Sequence, residues 1–188
     1  FRHAYPEGIE ILPPDRYRDV VVLPALGCPS GACTFCAFYA GRSFRALDAS
    51  ELRAHLTGVA GFFGRALPSR SGLFLGSASA LSLSQARLMA ALEQARRALG
   101  SFPRGAACFH DPDHAPRRSA ADFRELAAAG LTHVTVGLET GLASLRERLG
   151  KKSDVPVIPL YSVSDNPAAT ILDLSATLGI DMLMLGSS

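Results

Sequence analysis

Lysine is almost missing from this chain: Lys151 and Lys152 are its only two, and every other basic residue is an arginine. Beside so much alanine, that imbalance reads as genome composition rather than as a basic binding face. Net charge is small as well, +2 over 188 residues, so nucleic acid is not indicated as a partner. The pairs Arg96-Arg97 and Arg117-Arg118 read as solvated surface. No apolar run reaches membrane-spanning length and no segment resembles a signal peptide, so no membrane partner is expected. Cysteine is scarce, with four in the chain, too few and too unevenly placed for a disulfide scaffold. Their clustering instead points to metal in a reducing compartment, and a cytoplasmic location is expected.

Apolar content is the opposite case. Hydrophobic residues make up 48% of the chain and mean hydropathy is +0.18. A substantial core is therefore expected and wholesale disorder is not. The length suits one domain, or one and a fraction. The chain opens on Phe1 rather than Met and stops just after an apolar run, as a piece of a longer chain would.

Short β-rich runs alternate with helical periodicity. The lead-in Phe1–Asp19 reads as irregular. Strands are expected at 20–23, 73–76, 106–109 and 133–137. Helices are expected over 48–62, with Asp48 or Ser50 as cap, over 82–99, started by Ser82 and ended by Gly100, over 119–129 and over 142–149. The pattern recurs with a strand-like run at 155–163, a helix capped by Asn166 with Pro167 in its first turn, and a last strand at 182–185. This alternation argues α/β with a mainly parallel sheet, either barrel-like or open. The best domain boundary is Gly150–Asp154, dividing 1–152 from 153–188.

Three of the four cysteines lie within nine residues, in Gly27-Cys28-Pro29-Ser30-Gly31-Ala32-Cys33-Thr34-Phe35-Cys36-Ala37-Phe38-Tyr39. The segment follows the first strand, where parallel α/β proteins place their working loops. Glycines and the Pro29-Ser30 turn let the backbone fold back, so that three thiolates converge on one point. A structural zinc site is normally closed by four ligands, and a fully protein-ligated cubane also takes four cysteines. Three leave one metal position open for chemistry, or for a ligand from elsewhere. Cys108 is the obvious fourth candidate, although a lone mid-strand cysteine usually serves as a small hydrophobe. A zinc knuckle completed by His110 or Cys108 is the non-catalytic alternative.

The C-x4-C-x2-C spacing, with an aromatic residue just before its last cysteine, resembles the cluster loop of radical S-adenosylmethionine enzymes, in a branch with one extra residue in the first gap. The likeness covers residues 18–150 or so and implies a partial parallel (β/α) barrel. It implies that Cys28, Cys33 and Cys36 hold a [4Fe–4S] cluster, with S-adenosylmethionine at the fourth iron. It places Phe35 beside the cluster and the backbone of Phe38 and Tyr39 against the adenine. The run Leu73–Leu81 resembles the family's second strand end, where Gly76 and Ser77 would offer backbone groups to the methionine amino group; the acid often found nearby is absent. Val134–Gly141 resembles the fourth strand and its GLE-[ST]-G ending, which places Glu139 and Thr140 near the ribose or methionine. Taken alone, Gly76 is a loop glycine and Glu139 a solvated acid. The reaction implied is reductive cleavage of S-adenosylmethionine to a 5′-deoxyadenosyl radical that takes hydrogen from a substrate. The electron would come from a donor such as flavodoxin or ferredoxin.

The run His110-Asp111-Pro112-Asp113-His114 has the side chains for a divalent metal, for substrate or cofactor contact, or for an ordinary loop; five adjacent residues do not easily wrap one ion. His3, His55 and His133 suggest no partner. Residues 155–188 resemble the C-terminal half of a universal stress protein domain, a nucleotide-binding Rossmann-like module. Its phosphate loop is incomplete here, since the chain stops after Gly186-Ser187-Ser188. The segment is either a fused fragment of that kind, which would make the chain a nucleotide-binding regulatory module, or two further strand–helix units completing the barrel.

Overall fold

The computed structural model describes residues 1–6, 8–9, 11–76, 78–137, 139–151, 166 and 169. They fall into two compact units, Phe1–Gly137 and Leu138–Ser188. The first unit is built on four parallel strands: β1 (Val20–Val22), β4 (Leu73–Leu75), β5 (Ala106–His110) and β6 (Leu131–Val136). A small antiparallel ribbon, β2 (Ala25–Leu26) with β3 (Arg45–Ala46), stands apart from the sheet. Helices α1 (Ala49–Phe63), α2 (Gln85–Leu99) and α3 (Ala120–Ala128) make the successive crossovers. In the second unit α4 spans Ala143–Arg148.

The sheet order β1-β4-β5-β6 is also the chain order. Successive right-handed crossovers to the neighbouring strand put every helix on the same face. The packing agrees, with α1 against α2 and α2 against α3. A doubly wound sheet would reverse its order at a switch point; these four strands do not. They form a singly wound arc, the winding of a β/α barrel, without closing one among the described residues.

Register lines up Val21, Phe74, Ala107 and His133 across the sheet. Val20, Val22, Leu75 and Cys108 have no solvent exposure. Strands β1 and β4 are apolar and buried at every position, whereas β6, at the edge of the sheet, carries Thr132, His133 and Thr135 exposed. Leu52, Leu56 and Val59 form the inward stripe of α1, and Leu88, Ala91, Leu92, Ala95 and Leu99 that of α2. Burying a leucine such as Leu88 contributes about 2 kcal/mol.

The caps decide where the helices begin. Asp48 Oδ1 accepts from the amides of Ser50 and Glu51 at 2.7 and 2.8 Å, and Glu51 returns the bond to the Asp48 amide. Those amide bonds lower the pKa of Asp48, while the Asp48 amide and Arg45 lower that of Glu51. Helix α2 starts later than expected. Ser82 belongs to a 3-10 turn, Ala80–Ser82, and Ser84 is the cap that accepts from the Arg87 amide. Two elements were unforeseen: the two-residue strands β2 and β3 are too short to show alternation. The irregular lead-in is irregular as expected, yet Ala4 and Tyr5 are buried within it.

The expected strands at 155–163 and 182–185 lie outside the described residues, as does most of the helix between them. Asn166 does accept from the Ala169 amide, at 3.3 Å, as a capping residue would.

Candidate functional site

Strands β2 and β3 bracket the cysteine segment. Leu26 pairs with Arg45 and Ala25 with Ala46, so residues 27–44 leave and return at one point. An isolated bridge from Cys28 to Ser43, and a bond from the Cys28 amide to the Arg42 carbonyl at 3.4 Å, tighten that base. Gly27 makes the closure sterically feasible. Its φ is +73°, and a Cβ there would lie 2.3 Å from the Ser43 carbonyl oxygen, so no other residue fits without displacing backbone. Within the loop the Cys36 amide donates to the Cys33 carbonyl at 3.2 Å, and Ser30 Oγ accepts from the Ala32 amide.

Cys28, Cys33 and Cys36 form no disulfide, and each is partly exposed. They share one loop but are not drawn together. Among the described residues no three His, Cys, Asp or Glu side chains form a group able to hold an ion. The expected convergence of the thiolates is thus not the conformation seen. The donor set nevertheless suits an iron–sulfur cluster, with three accessible soft ligands and no fourth. Cys108 is fully buried in β5, where burial pushes its thiol up to about 12. It is part of the core, opposed by Leu75 and Val134.

The aromatic residues of the loop divide. Phe35 and Phe38 stand 53% and 49% exposed, whereas Tyr39 is buried. Tyr39 lines a narrow cleft with Val21, Leu23, Gly27, Arg42 and Gly76; Gly8, Ile9 and Ile11 of the lead-in make another wall. The free space is about 20 Å³, room for about one water. Gly76 follows β4 in close contact, since a Cβ there would lie 2.6 Å from Leu23 Cδ2. Ser77 lies outside the described residues.

Beyond β4 and β5 the chain is firmly braced. The Asp111 amide donates to the buried Ser79 Oγ at 3.0 Å, and Ser82 Oγ donates to the same oxygen. Arg118 donates to the carbonyls of Leu81 and Leu83 and to Gln85 Oε1. The run 110–114 folds onto itself: Asp111 accepts from the Asp113 amide, and its other oxygen meets His114 Nδ1, both at 3.1 Å. That is a self-satisfied loop rather than a metal cradle. His110 closes β5, and its Nδ1 is buried without a hydrogen-bond partner. Burial lowers its pKa, Arg118 adds to the effect and Asp111 opposes it.

In the second unit Glu139 holds φ at +68°, an unusual conformation for a residue with a side chain. Its carboxylate lies 3.9 Å from Lys151 Nζ. Thr140 Oγ1 accepts from the Leu142 amide at 3.3 Å, at the start of α4.

One further residue emerged only from the structure. His55, on α1, accepts from the Leu23 amide at Nε2 (2.9 Å) and reaches the Ala4 carbonyl with Nδ1 (3.0 Å). Its partners are 32 and 51 positions away, beyond any local signal.

The fold and the loop together define a singly wound parallel α/β unit carrying a thiol loop after its first strand. No family model matches the chain, and no curated protein matches it. Solved structures do. A cobalamin-dependent S-adenosylmethionine radical enzyme, OxsB, with aqua-cobalamin and S-adenosylmethionine bound, superposes with a TM-score of 0.54 at 18% identity, over 74% of this chain and 21% of that one. The same enzyme with aqua-cobalamin alone gives 0.53 at 17%, over 71% and 20%. Its apo, selenomethionine-labelled form gives 0.53 at 16%, over 72% and 20%. At that identity the likeness shows a shared fold. The chain spans about a fifth of the length of the structures it matches. The stress-protein resemblance finds no support in these comparisons, and its residues lie outside those described apart from Asn166 and Ala169.

Proposed function

We propose that this chain is part of an iron–sulfur enzyme that reductively cleaves S-adenosylmethionine to a 5′-deoxyadenosyl radical for hydrogen abstraction from a substrate. The observation that carries the reading is the placement of Cys28, Cys33 and Cys36. They occupy a closed loop after β1 of a singly wound parallel sheet, a sheet whose fold matches that of a S-adenosylmethionine radical enzyme. The three thiolates hold a [4Fe–4S] cluster in this reading, and S-adenosylmethionine fills the remaining coordination position. When bound, the cluster would supply one electron to the sulfonium and so break its bond to C5′.

The rest falls to the protein. Gly27 and the β2–β3 ribbon hold the loop at the C-terminal end of β1, and Tyr39 backs it from the cleft. Gly76, free of a side chain, ends β4 in close contact with Leu23, and with Ser77 it would receive the methionine end. Phe35 and Phe38 are apolar and exposed, suited to covering a cofactor and keeping water away. Glu139 and Thr140 would take the ribose or methionine polar groups. An external one-electron donor of the flavodoxin or ferredoxin kind completes the scheme.

Anaerobic reconstitution with iron and sulfide, followed by dithionite and S-adenosylmethionine, tests the proposal. Wild type is expected to release 5′-deoxyadenosine and Cys33→Ala to release none. Equal yields from the two would remove Cys33 from the ligand set. A protein that takes up one zinc and no iron would support the zinc-stabilised module instead.

A further inference from the structure

The lead-in forms one wall of the cleft beside the cysteine loop, through Gly8, Ile9 and Ile11. That cleft is narrow, with room for about one water (≈ 20 Å³). Two side chains tie the first residues of the lead-in to β1 and α1 by hydrogen bonds. The buried Tyr5 hydroxyl donates to the Val21 carbonyl at 2.8 Å. His55 bridges the Ala4 carbonyl and the Leu23 amide at 3.0 and 2.9 Å. Tyr5 and His55 also meet edge to face, with ring centroids 5.7 Å apart.

The bridge requires a single protonation state. The Leu23 N–H can only donate, so Nε2 must be the bare nitrogen; the Ala4 carbonyl can only accept, so Nδ1 must carry the hydrogen. A second proton, on Nε2, turns the Leu23 contact into donor against donor. Leu23 is the residue directly after β1, two before the ribbon that carries the cysteine loop.

We propose that the lead-in is a strap over the cleft and that His55 is its latch, released when the imidazole is protonated. The device is independent of the iron–sulfur reading, since it needs neither cluster nor cofactor. Burial lowers the pKa of His55, with the Ala4 carbonyl opposing, so the latch is closed at neutral pH. Among the described residues of the lead-in, Tyr5 lies against the ring, and burial pushes its phenol up, so it stays neutral. His3 on the same segment is exposed. The facing β1 residues, Val21 and Leu23, are aliphatic. Glu51, one turn earlier on α1, is engaged by Arg45 and the Asp48 amide.

The sign follows from the lowered pKa. The released state binds a proton near the ordinary histidine value of about 6.5, whereas the latched state does not. Latching is therefore at full strength above that pH and weakens as pH falls through it, by about tenfold in the opening equilibrium per pH unit.

Amide exchange by NMR reads this out, with rates corrected for intrinsic chemistry. Between about pH 7.5 and about pH 5.5 the Leu23 amide is expected to lose protection by up to roughly tenfold. The Gly8 amide, which donates to Tyr5 within the strap, should follow it. Leu88 and Leu92 in α2 should stay protected. In His55→Phe, which keeps a ring against Tyr5 but makes neither bond, Leu23 should exchange quickly at both pH values while α2 is unchanged. Wild-type Leu23 protection that does not change with pH would overturn the proposal, as would retention of the full pH response in His55→Phe. Should that variant not fold, the wild-type exchange series together with the His55 ring nitrogen shifts decides the matter: an imidazole that titrates at the ordinary value refutes the latch.

Discussion

The two ends of the parallel sheet are built differently. At the N-terminal end, side chains lock to one another. The buried Arg16 pairs with the buried Asp19 at 3.2 Å, Ser71 donates to the same carboxylate, and Arg104 reaches Asp15 at 2.9 Å. Gly72 fits only because a Cβ would strike Asp19, at 2.7 Å. At the C-terminal end, glycines replace side chains at Gly27 and Gly76, thiols stand half-exposed, and His110 keeps an unpaired buried nitrogen. A parallel sheet divides labour in this way: one edge can be closed for stability because the other carries the loops that do chemistry.

Substitutions at the two ends should therefore separate stability from ligand binding. The largest expected effect is at the closed end. Asp19→Ala leaves Arg16 buried beside a lost partner and should cost about 3 kcal/mol in urea unfolding, while the surviving folded protein still takes up iron on reconstitution. If iron uptake fails along with stability, the two ends are not independent. Next comes Gly27→Ala at the open end, where the added Cβ meets the Ser43 carbonyl. It should cost about 2 kcal/mol and lower the iron bound per chain, because the base of the loop can no longer close. Unchanged iron would mean that the loop does not need its pinned base. The smallest effect is expected at Cys108→Ala, about 1 kcal/mol, with iron binding as in wild type. Iron loss like that of Cys33→Ala would place Cys108 among the ligands after all.

Much of this architecture was legible in the chain. The runs at Val20, Leu73 and Ala106 announced three sheet strands because buried parallel strands are apolar, the β-branched run after His133 announced the fourth, and α1 and α2 showed an inward stripe. Legibility failed where structure depends on distant partners. Strands β2 and β3, two residues each, exist because they pair with each other across the cysteine loop, and nothing local marks them. Ser82 and Ser84 are equally good caps by type; the 3-10 turn braced through Ser79, Leu81 and Arg118 selects the second. The candidate site was visible as a cysteine spacing, but the exposure of Phe35 and Phe38, the burial of Tyr39 and the bridging role of His55 were not.

The order of apolar and polar residues by itself determined that strands and helices alternate, that three thiols share one loop, and where most helices stop, since these follow from local periodicity, capping and glycine. Only the tertiary structure decided that the strands pair in chain order, that Cys108 is buried in the core, and that the lead-in is fastened over the cleft. Those outcomes depend on burial and on hydrogen bonds between residues far apart in the chain, whose free energies exist only once the partners have been brought together.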